Sequence, residues 1–303
     1  MYGGRGIDRQ RPQHGGGSGR KRAFTLVELL VVISIISLLM GISLPAFSAA
    51  KRKTQTLLGT NNQRQIVAAV NLFASDNDEQ YPESVATVGF GNNWNWSEPT
   101  KLTGNRKRSP SIHRSMSAYL GSYVSNAGTM SCPCAPGRYK YLQEAWDAGD
   151  EWDNPETTFA FDPVGGTYCF YWNYKGCLDD GASVFYGPRG PAAGGRYSKL
   201  VVSDYFGYAH WRSPTCFGSC NPFKGADITE ETWLLAAYWS GVGDPNSSRP
   251  RIELQAGYTD GHVETYSTSE VVPMKVSITA DGTTPYPDGV GAGIFFLPRP
   301  AVR

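Results

Sequence analysis

The chain has 303 residues, with 28 lysines and arginines against 27 aspartates and glutamates, a formal net charge of +1. Six of the basic residues and one acid precede Phe24, a local balance of +5, so the remainder carries 1 − 5 = −4. The positive charge lies in a Gly-rich tail beside an apolar segment. This location argues against a nucleic-acid-binding surface. The 8 Trp, 17 Tyr, 13 Phe, 35 Gly and 20 Pro favour short strands and long loops over a helical bundle.

The first predicted element is a membrane-spanning helix. Leu29 to Ala50 is a run of 22 residues without a charge. As a helix it would span about 33 Å, close to the thickness of the hydrocarbon core of a bilayer. A plain anchor, or a signal peptide cleaved after the "SAA" of Ser48 to Ala50, is the alternative interpretation.

Glu28 stands at the beginning of this apolar run. A carboxylate at membrane depth costs about 2.5–3.5 kcal/mol near a helix centre and less near the end, so it is expected to have a partner. No basic residue follows before Lys51, on the far side of the bilayer. A cut just before Phe24 would create a cationic amine one helical turn away. In an assembly, Glu28 of one subunit could meet the Phe24 amine of its neighbour.

The segment "FTLVELLVVISIISLLMGISLPAF" closely resembles the N-terminal processing and methylation segment of type IV pilins and type II secretion pseudopilins. The resemblance implies that a prepilin peptidase cuts between Ala23 and Phe24 and methylates Phe24. It makes Glu28 the fifth mature residue, with a role in assembly, and Pro45 a helix-bending proline. Ala23 departs from the family's usual glycine, which predicts slower processing.

The resemblance also implies partners and a location. The partners are the prepilin peptidase, other pilin or pseudopilin subunits and the inner membrane, with no nucleic acid. The protein is expected to be a single-pass protein of the inner membrane, with a cytoplasmic N-terminus, an extracytoplasmic head, and a place in a filament after assembly. Basic residues beside a span favour the cytoplasmic side.

The expected fold is α+β and pilin-like: a long N-terminal helix packed on an antiparallel β-sheet head with long loops. Its parts are a leader (1–23), the membrane half of the helix (24–47), the amphipathic half (48–80) and a loop-rich β head (81–303). Ile66, Ala69, Val70 and Phe73 form one apolar stripe of the second half. Asn77 is predicted as a left-handed cap before Pro82, which cannot continue the helix.

The head is predicted to contain one short helix and several strands. Asp260-Gly261 indicates a hairpin with a two-residue turn. The helix candidate is Ser115 to Tyr123, and the strand candidates are Thr157 to Phe161, Thr167 to Tyr174, Lys199 to Phe206, Ile252 to Tyr266 and Lys275 to Ala280.

The sequence "DGH" at Asp260 to His262 distantly resembles the C-terminal part of large pseudopilin-like proteins named for a histidine, nine residues and Asp-Gly. The position of that histidine is Pro250 here, so the signature is incomplete. No role of the missing histidine is carried over.

Six cysteines in an oxidising compartment suggest disulfides, and six permit fifteen pairings. Cys169 with Cys177 could close a hairpin, and Cys216 with Cys220 a short loop. A zinc site using "CPC", "CFGSC" and His210 is the alternative, but the spacing of Cys132 and Cys134 is too tight for the usual knuckle. Buried thiols are the third interpretation.

No cofactor and no metal ligand is assigned. Calcium is a possible ligand, with unknown coordinating residues, for two reasons. The "DNDE" of Asp76 to Glu79 clusters oxygen atoms, and the preceding helix resembles that of G-type pseudopilins, which bind calcium. That cluster lacks EF-hand spacing and suits a helix end equally well.

The sequence therefore predicts a structural subunit and not an enzyme. Neither a nucleophile elbow nor a catalytic histidine signature is present. The predicted function is a subunit of a type II secretion pseudopilus or of a type IV pilus-like filament. The alternative is a membrane-tethered extracytoplasmic enzyme or binding module that never polymerises. The groups "WNW", "FYWNY" and "YAHW" suggest carbohydrate as its ligand, although a buried core explains most of them.

Overall fold

The computed structural model describes residues 25–86, 99–103, 112–133, 140–153, 155, 164–178, 184–205, 207–210, 253–275 and 292–302. The chain forms two compact units, Met1–Ala50 and Lys51–Arg303. The helices are α1 (Leu26–Asp76), α2 (Met116–Leu120) and α3 (Leu142–Ala148). The strands are β1 (Tyr168–Phe170), β2 (Lys175–Leu178), β3 (Val184–Tyr186), β4 (Leu200–Asp204), β5 (Gly207–His210), β6 (Glu253–Tyr258), β7 (Val263–Ser267), β8 (Val271–Lys275) and β9 (Ala292–Pro298).

The head part of α1 packs through the predicted stripe. Ile66, Ala69 and Val70 are at most 2 % exposed, and Phe73 packs against the same cluster. Their period of three and four residues gives α1 one apolar face, which is buried in a cluster with β1 and β4. Where this face crosses β6, a Cβ on Gly257 would meet Val67 at 3.2 Å. Glycine therefore allows the helix to approach the sheet closely.

The head contains two antiparallel sheets. The strand order is β1-β4-β6-β7 in the first and β3-β2-β8-β9-β5 in the second. Side chains alternate along β1, so Tyr168 and Phe170 join the cluster under α1 while Cys169 joins the other cluster. That second cluster also holds Leu254 of β6 and Phe295 of β9. The first sheet thus lies between α1 and the second sheet.

The α+β prediction, a long N-terminal helix with an antiparallel head, is confirmed. The second sheet was not foreseen. Its central pair, β8 and β9, joins Val271–Lys275 to Ala292–Pro298 across an intervening segment of 16 residues. Such a pairing leaves no local signal, because its partner strand is distant in sequence.

The individual strand predictions have mixed outcomes. The prediction over Thr167 to Tyr174 is too long, since β1 ends at Phe170 and Trp172 and Asn173 form a turn before β2. The helix candidate shortens to α2, capped by the Ser115 side chain, which accepts from the Ser117 N–H. Thr157 to Phe161 and all of the last candidate beyond Lys275 lie outside the described residues.

The end of α1 differs from the prediction. Asp78 (φ 50°) and Glu79 (φ 58°) adopt the left-handed conformation, and Asn77 does not. Asn77 instead donates its side-chain amide to the Phe73 carbonyl at 2.8 Å. Because Asn77 satisfies a terminal helix carbonyl through its side chain, the backbone reversal moves one residue later.

The hairpin β6–β7 is present, but its turn has three residues and not two. The Gly261 N–H donates to the Tyr258 carbonyl at 2.9 Å, and the Tyr258 N–H donates to the His262 carbonyl at 3.0 Å. Gly261 has φ +88°. A type I turn followed by a left-handed residue is the usual three-residue loop, and glycine adopts that conformation without strain.

A polar cluster joins the segment before α2 to the turn after α3. Asp150 accepts from the Ser115 N–H at 2.7 Å and contacts His113 Nδ1 at 2.7 Å. The Arg114 guanidinium donates to the carbonyls of Asp150 and Trp152. Burial raises the pKa of Asp150, but the bonds from His113 and Ser115 outweigh it, so its pKa lies below the ordinary value.

This cluster predicts an acid-dependent stability term. A carboxyl with a lowered folded-state pKa stabilises the head above its unfolded pKa, and this contribution is lost as the pH falls through the folded-state pKa. Asp150→Asn should therefore lower the free energy of unfolding by about 1 kcal/mol at pH 7 and by less in acid. Denaturant titrations at several pH values measure this. The exposed Asp153→Asn is the control, and an Asp150→Asn penalty independent of pH would contradict the prediction.

Candidate functional site

The first turn of α1 is closed by a reciprocal capping box. The Thr25 N–H donates to Glu28 Oε2 at 2.8 Å, and the Glu28 N–H donates to Thr25 Oγ1 at 3.2 Å. The Thr25 hydroxyl donates to the same Oε2 at 2.7 Å. Threonine at the N-cap with glutamate three residues later is the arrangement that satisfies two of the terminal N–H groups of a helix.

The two oxygens of this carboxylate differ. Oε2 accepts both bonds from Thr25, whereas no donor among the described residues contacts Oε1. Sequence reasoning considered only basic residues as partners for Glu28, whereas Thr25 at the N-cap donates hydrogen bonds to it. The signal was present as the Thr-x-x-Glu spacing of Thr25 and Glu28, but Thr25 was interpreted only as part of the apolar segment.

The turns that follow present an apolar surface. Every large apolar side chain from Leu26 to Phe47 is at least 43 % exposed. By length and composition α1 is able to cross a membrane. The Ser34 hydroxyl donates to the Leu30 carbonyl at 2.8 Å, so its hydrogen bond is satisfied within the helix. A continuous exposed apolar surface of this size marks a segment made for lipid or for other helices.

Comparison with known proteins identifies this segment. Residues 18–44 match the prokaryotic N-terminal methylation motif. The chain is type IV pilin-like. It is 31% identical over 71 residues to the type IV major pilin protein PilA of Myxococcus xanthus (strain DK1622), an alignment that covers 23% of this chain and 32% of that protein. The chain thus spans about a third of the length of this relative. No solved structure matches the chain at a significant level.

The methylation motif and the apolar helix together are consistent with an anchor in the inner membrane. Ala23 and Phe24, the predicted cleavage residues, lie outside the described residues. Pro45 lies within α1, which continues through it to Asp76.

The predicted disulfide partners fall in different places. Cys169 is buried in β1, which pairs with β4, whereas Cys177 is in β2, which pairs with β3 and β8. The two cysteines therefore do not close one hairpin, and the proposed bond between them remains a prediction. Cys216 and Cys220 lie outside the described residues.

The remaining candidate residues, for metal binding, catalysis or sugar binding, form local contacts or are buried in the core where the structure describes them. Asp76 accepts from the Tyr123 hydroxyl at 2.6 Å. Within the described ranges, no group of three His, Cys, Asp or Glu side chains could hold a metal ion. His262 stacks on Tyr258 beside the hairpin turn, with ring centroids 4.5 Å apart. From "FYWNY", the four aromatic side chains are buried in the core. "WNW" and the side chains of "YAHW" lie outside the described residues.

A buried polar junction that the sequence did not indicate fastens α1 to the first sheet. Gln63, 0 % exposed, donates its side-chain amide to Asp204 Oδ1 at 3.0 Å and to the Gln255 carbonyl at 3.2 Å. The Gln255 N–H donates to Asp204 Oδ2 at 2.9 Å, and the Gln255 side chain donates to Thr60 at 2.7 Å. Each residue looks like an ordinary surface residue in the sequence, and only the pairing of β4 with β6 brings them under α1.

Proposed function

We propose that this protein is a structural filament subunit, made as a precursor and assembled after its leader is removed. The observation that carries the proposal is the methylation motif at 18–44, placed on a helix whose apolar side chains are exposed from Leu26 to Phe47. Such a surface needs a bilayer before assembly and the helices of neighbouring subunits after it. The chemistry is done to this protein by the peptidase, and the protein itself acts as a structural element and not as an enzyme.

The geometry around Glu28 supports a specific role in assembly. The Thr25 nitrogen lies 2.8 Å from Oε2, and the amine created by a cut after Ala23 is the next backbone nitrogen toward the N-terminus. Thr25 satisfies Oε2, so Oε1 is the oxygen that can accept from a Phe24 ammonium. An ammonium of the neighbouring subunit would offset the cost of a carboxylate at membrane depth and fix the axial stagger of the two helices.

The filament is a type II secretion pseudopilus or a type IV pilus-like fibre, and its other members are pilin or pseudopilin subunits. The six basic residues before Phe24 favour a leader on the cytoplasmic side and a head outside the inner membrane. In this arrangement the peptidase meets the Ala23–Phe24 bond at the cytoplasmic face.

The mature N-terminus tests this proposal. Mass spectrometry of the purified chain should show a polypeptide that begins at Phe24 and carries one added methyl group. Ala23→Gly restores the residue usual before the cut and should raise the processed fraction of newly made protein.

A strain without the prepilin peptidase is the control, and there the first 23 residues should remain. A mature N-terminus near Lys51 would identify a signal peptide and overturn the proposal. A retained leader in a strain with active peptidase would overturn it as well.

A further inference from the structure

A cluster of cations and tyrosines lies at one edge of the second sheet. Lys175 of β2 and Tyr186 of β3 are cross-strand neighbours, and the Lys175 ammonium lies 5.9 Å from the centre of the Tyr186 ring. The Arg196 guanidinium lies 4.8 Å from the Tyr186 ring and 5.2 Å from the Tyr197 ring. Arg189 lies 4.9 Å from the Tyr197 ring. We name these five residues the basic patch.

The tyrosines hold the two arginines of the basic patch at the surface. Arg189 and Arg196 are exposed, and Arg196 also donates to the Tyr197 hydroxyl at 3.2 Å. Among the described residues, neither arginine forms an ion pair with a carboxylate. Rings that fix a guanidinium reduce the entropy lost when it binds an anion. These two arginines are therefore prepared to bind an acidic partner.

An acidic surface lies along β7, the edge strand of the first sheet. Its exposed acids are Asp260 in the turn before β7, Glu264 of β7 and Glu270 in the short 3-10 helix that follows β7. Their contacts are local: Glu264 accepts from the Tyr266 hydroxyl, Glu270 accepts from Ser267, and Asp260 contacts His262. We name these three carboxylates the acidic edge.

We propose that the basic patch of one subunit binds the acidic edge of a second copy of this chain. The inference rests on the proposed filament function and adds to it the surface through which heads meet. The two surfaces lie beside edge strands of different sheets, β3 and β7, so the contact joins unlike faces and can repeat along a fibre. Removal of the leader leaves a chain of net charge −4, and cations facing carboxylates offset the repulsion between such subunits.

Charge reversal in cells that remove the leader tests this contact between subunits. Arg189→Glu with Arg196→Glu should lower the yield of sheared filaments roughly tenfold, and so should Glu264→Lys with Glu270→Lys. The four substitutions together should restore the yield to within about twofold of the unmodified chain, because the pairing is inverted and not removed. Lys140→Glu, at an exposed lysine over Tyr141 outside both surfaces, is the control and should change nothing.

A second measurement does not depend on filament yield. A photoreactive side chain at position 189 of the full-length protein in its membrane should capture a second copy at residues 260–270. The inference would be overturned if both double variants gave unchanged filament yields, or if the variant with all four substitutions were not rescued. A crosslink to residues other than 260–270 would overturn it as well. The inference would also be overturned if the Arg189→Glu, Arg196→Glu variant formed normal filaments but no longer bound single-stranded DNA or an acidic polysaccharide. A chain that keeps its leader contradicts the proposed function instead, so the two failures are distinguishable.

Discussion

Glu28→Ala is expected to reduce filament assembly severely while leaving removal of the leader intact. The substitution removes the only carboxylate between Phe24 and Ala50, and with it the acceptor for the neighbouring Phe24 ammonium. An amine buried at the membrane boundary without a counter-charge makes each addition of a subunit unfavourable. Filament yield should fall about tenfold or more, since 1.4 kcal/mol corresponds to a factor of ten. Shearing, immunoblotting and mass spectrometry of the same cells measure yield and processing together.

The capping box makes a sharper comparison available. Glu28→Gln keeps an acceptor oxygen for the Thr25 N–H, so the first turn of α1 stays closed, but the negative charge is lost. If the ion pair drives assembly, Glu28→Gln should fail like Glu28→Ala. Thr25→Val removes the hydroxyl contacts alone and should assemble nearly normally, at a cost of about 1 kcal/mol in helix capping. Normal assembly of Glu28→Gln would show that capping is the role of Glu28 and that the amine pair is wrong.

The sequence predicts well where a regular period or a specific motif carries the information. Ile66, Ala69 and Val70 recur at helical spacing, and they are the residues on which α1 packs. The hairpin at Asp260 is found where Asp-Gly placed it, although glycine at φ +88° extends the loop by one residue. Local patterns identify the element, and hydrogen bonds that involve a single side chain or glycine decide its last residue.

What the sequence does not predict depends on contacts between distant segments. β9 contains the continuous apolar run Ile294 to Leu297 after a Gly-rich stretch, and it becomes a strand by pairing with β8 on one side and β5 on the other. Asp204 is a single acid at the end of β4, with no spacing that relates it to Gln63, 141 positions away. Neither pairing can be derived from periodicity within one segment, because both depend on the order of strands in the finished sheets.

Asp204→Ala should cause the largest loss of stability in the head. The carboxylate, 1 % exposed, is the acceptor for the Gln63 side-chain amide and for the Gln255 N–H. Removing it leaves the Gln255 N–H buried without this acceptor, and Gln63 retains only its longer bond to the Gln255 carbonyl. With about 1–3 kcal/mol for each buried donor, the expected loss is about 2–4 kcal/mol. For a head of this size that corresponds to roughly 4–8 °C in the melting temperature.

Denaturation of the full chain in detergent, followed by tryptophan fluorescence, to which the buried Trp172 contributes, measures this loss. Asp204→Asn keeps one carbonyl oxygen and should lose less, while the exposed Asp153→Ala should stay within about 0.5 kcal/mol of the unmodified protein. In a double-mutant cycle, Gln63→Ala should cost much less in the Asp204→Ala background than alone, because the two side chains share one bond. Additive losses would show that the bond between Gln63 and Asp204 contributes nothing measurable to the attachment of α1.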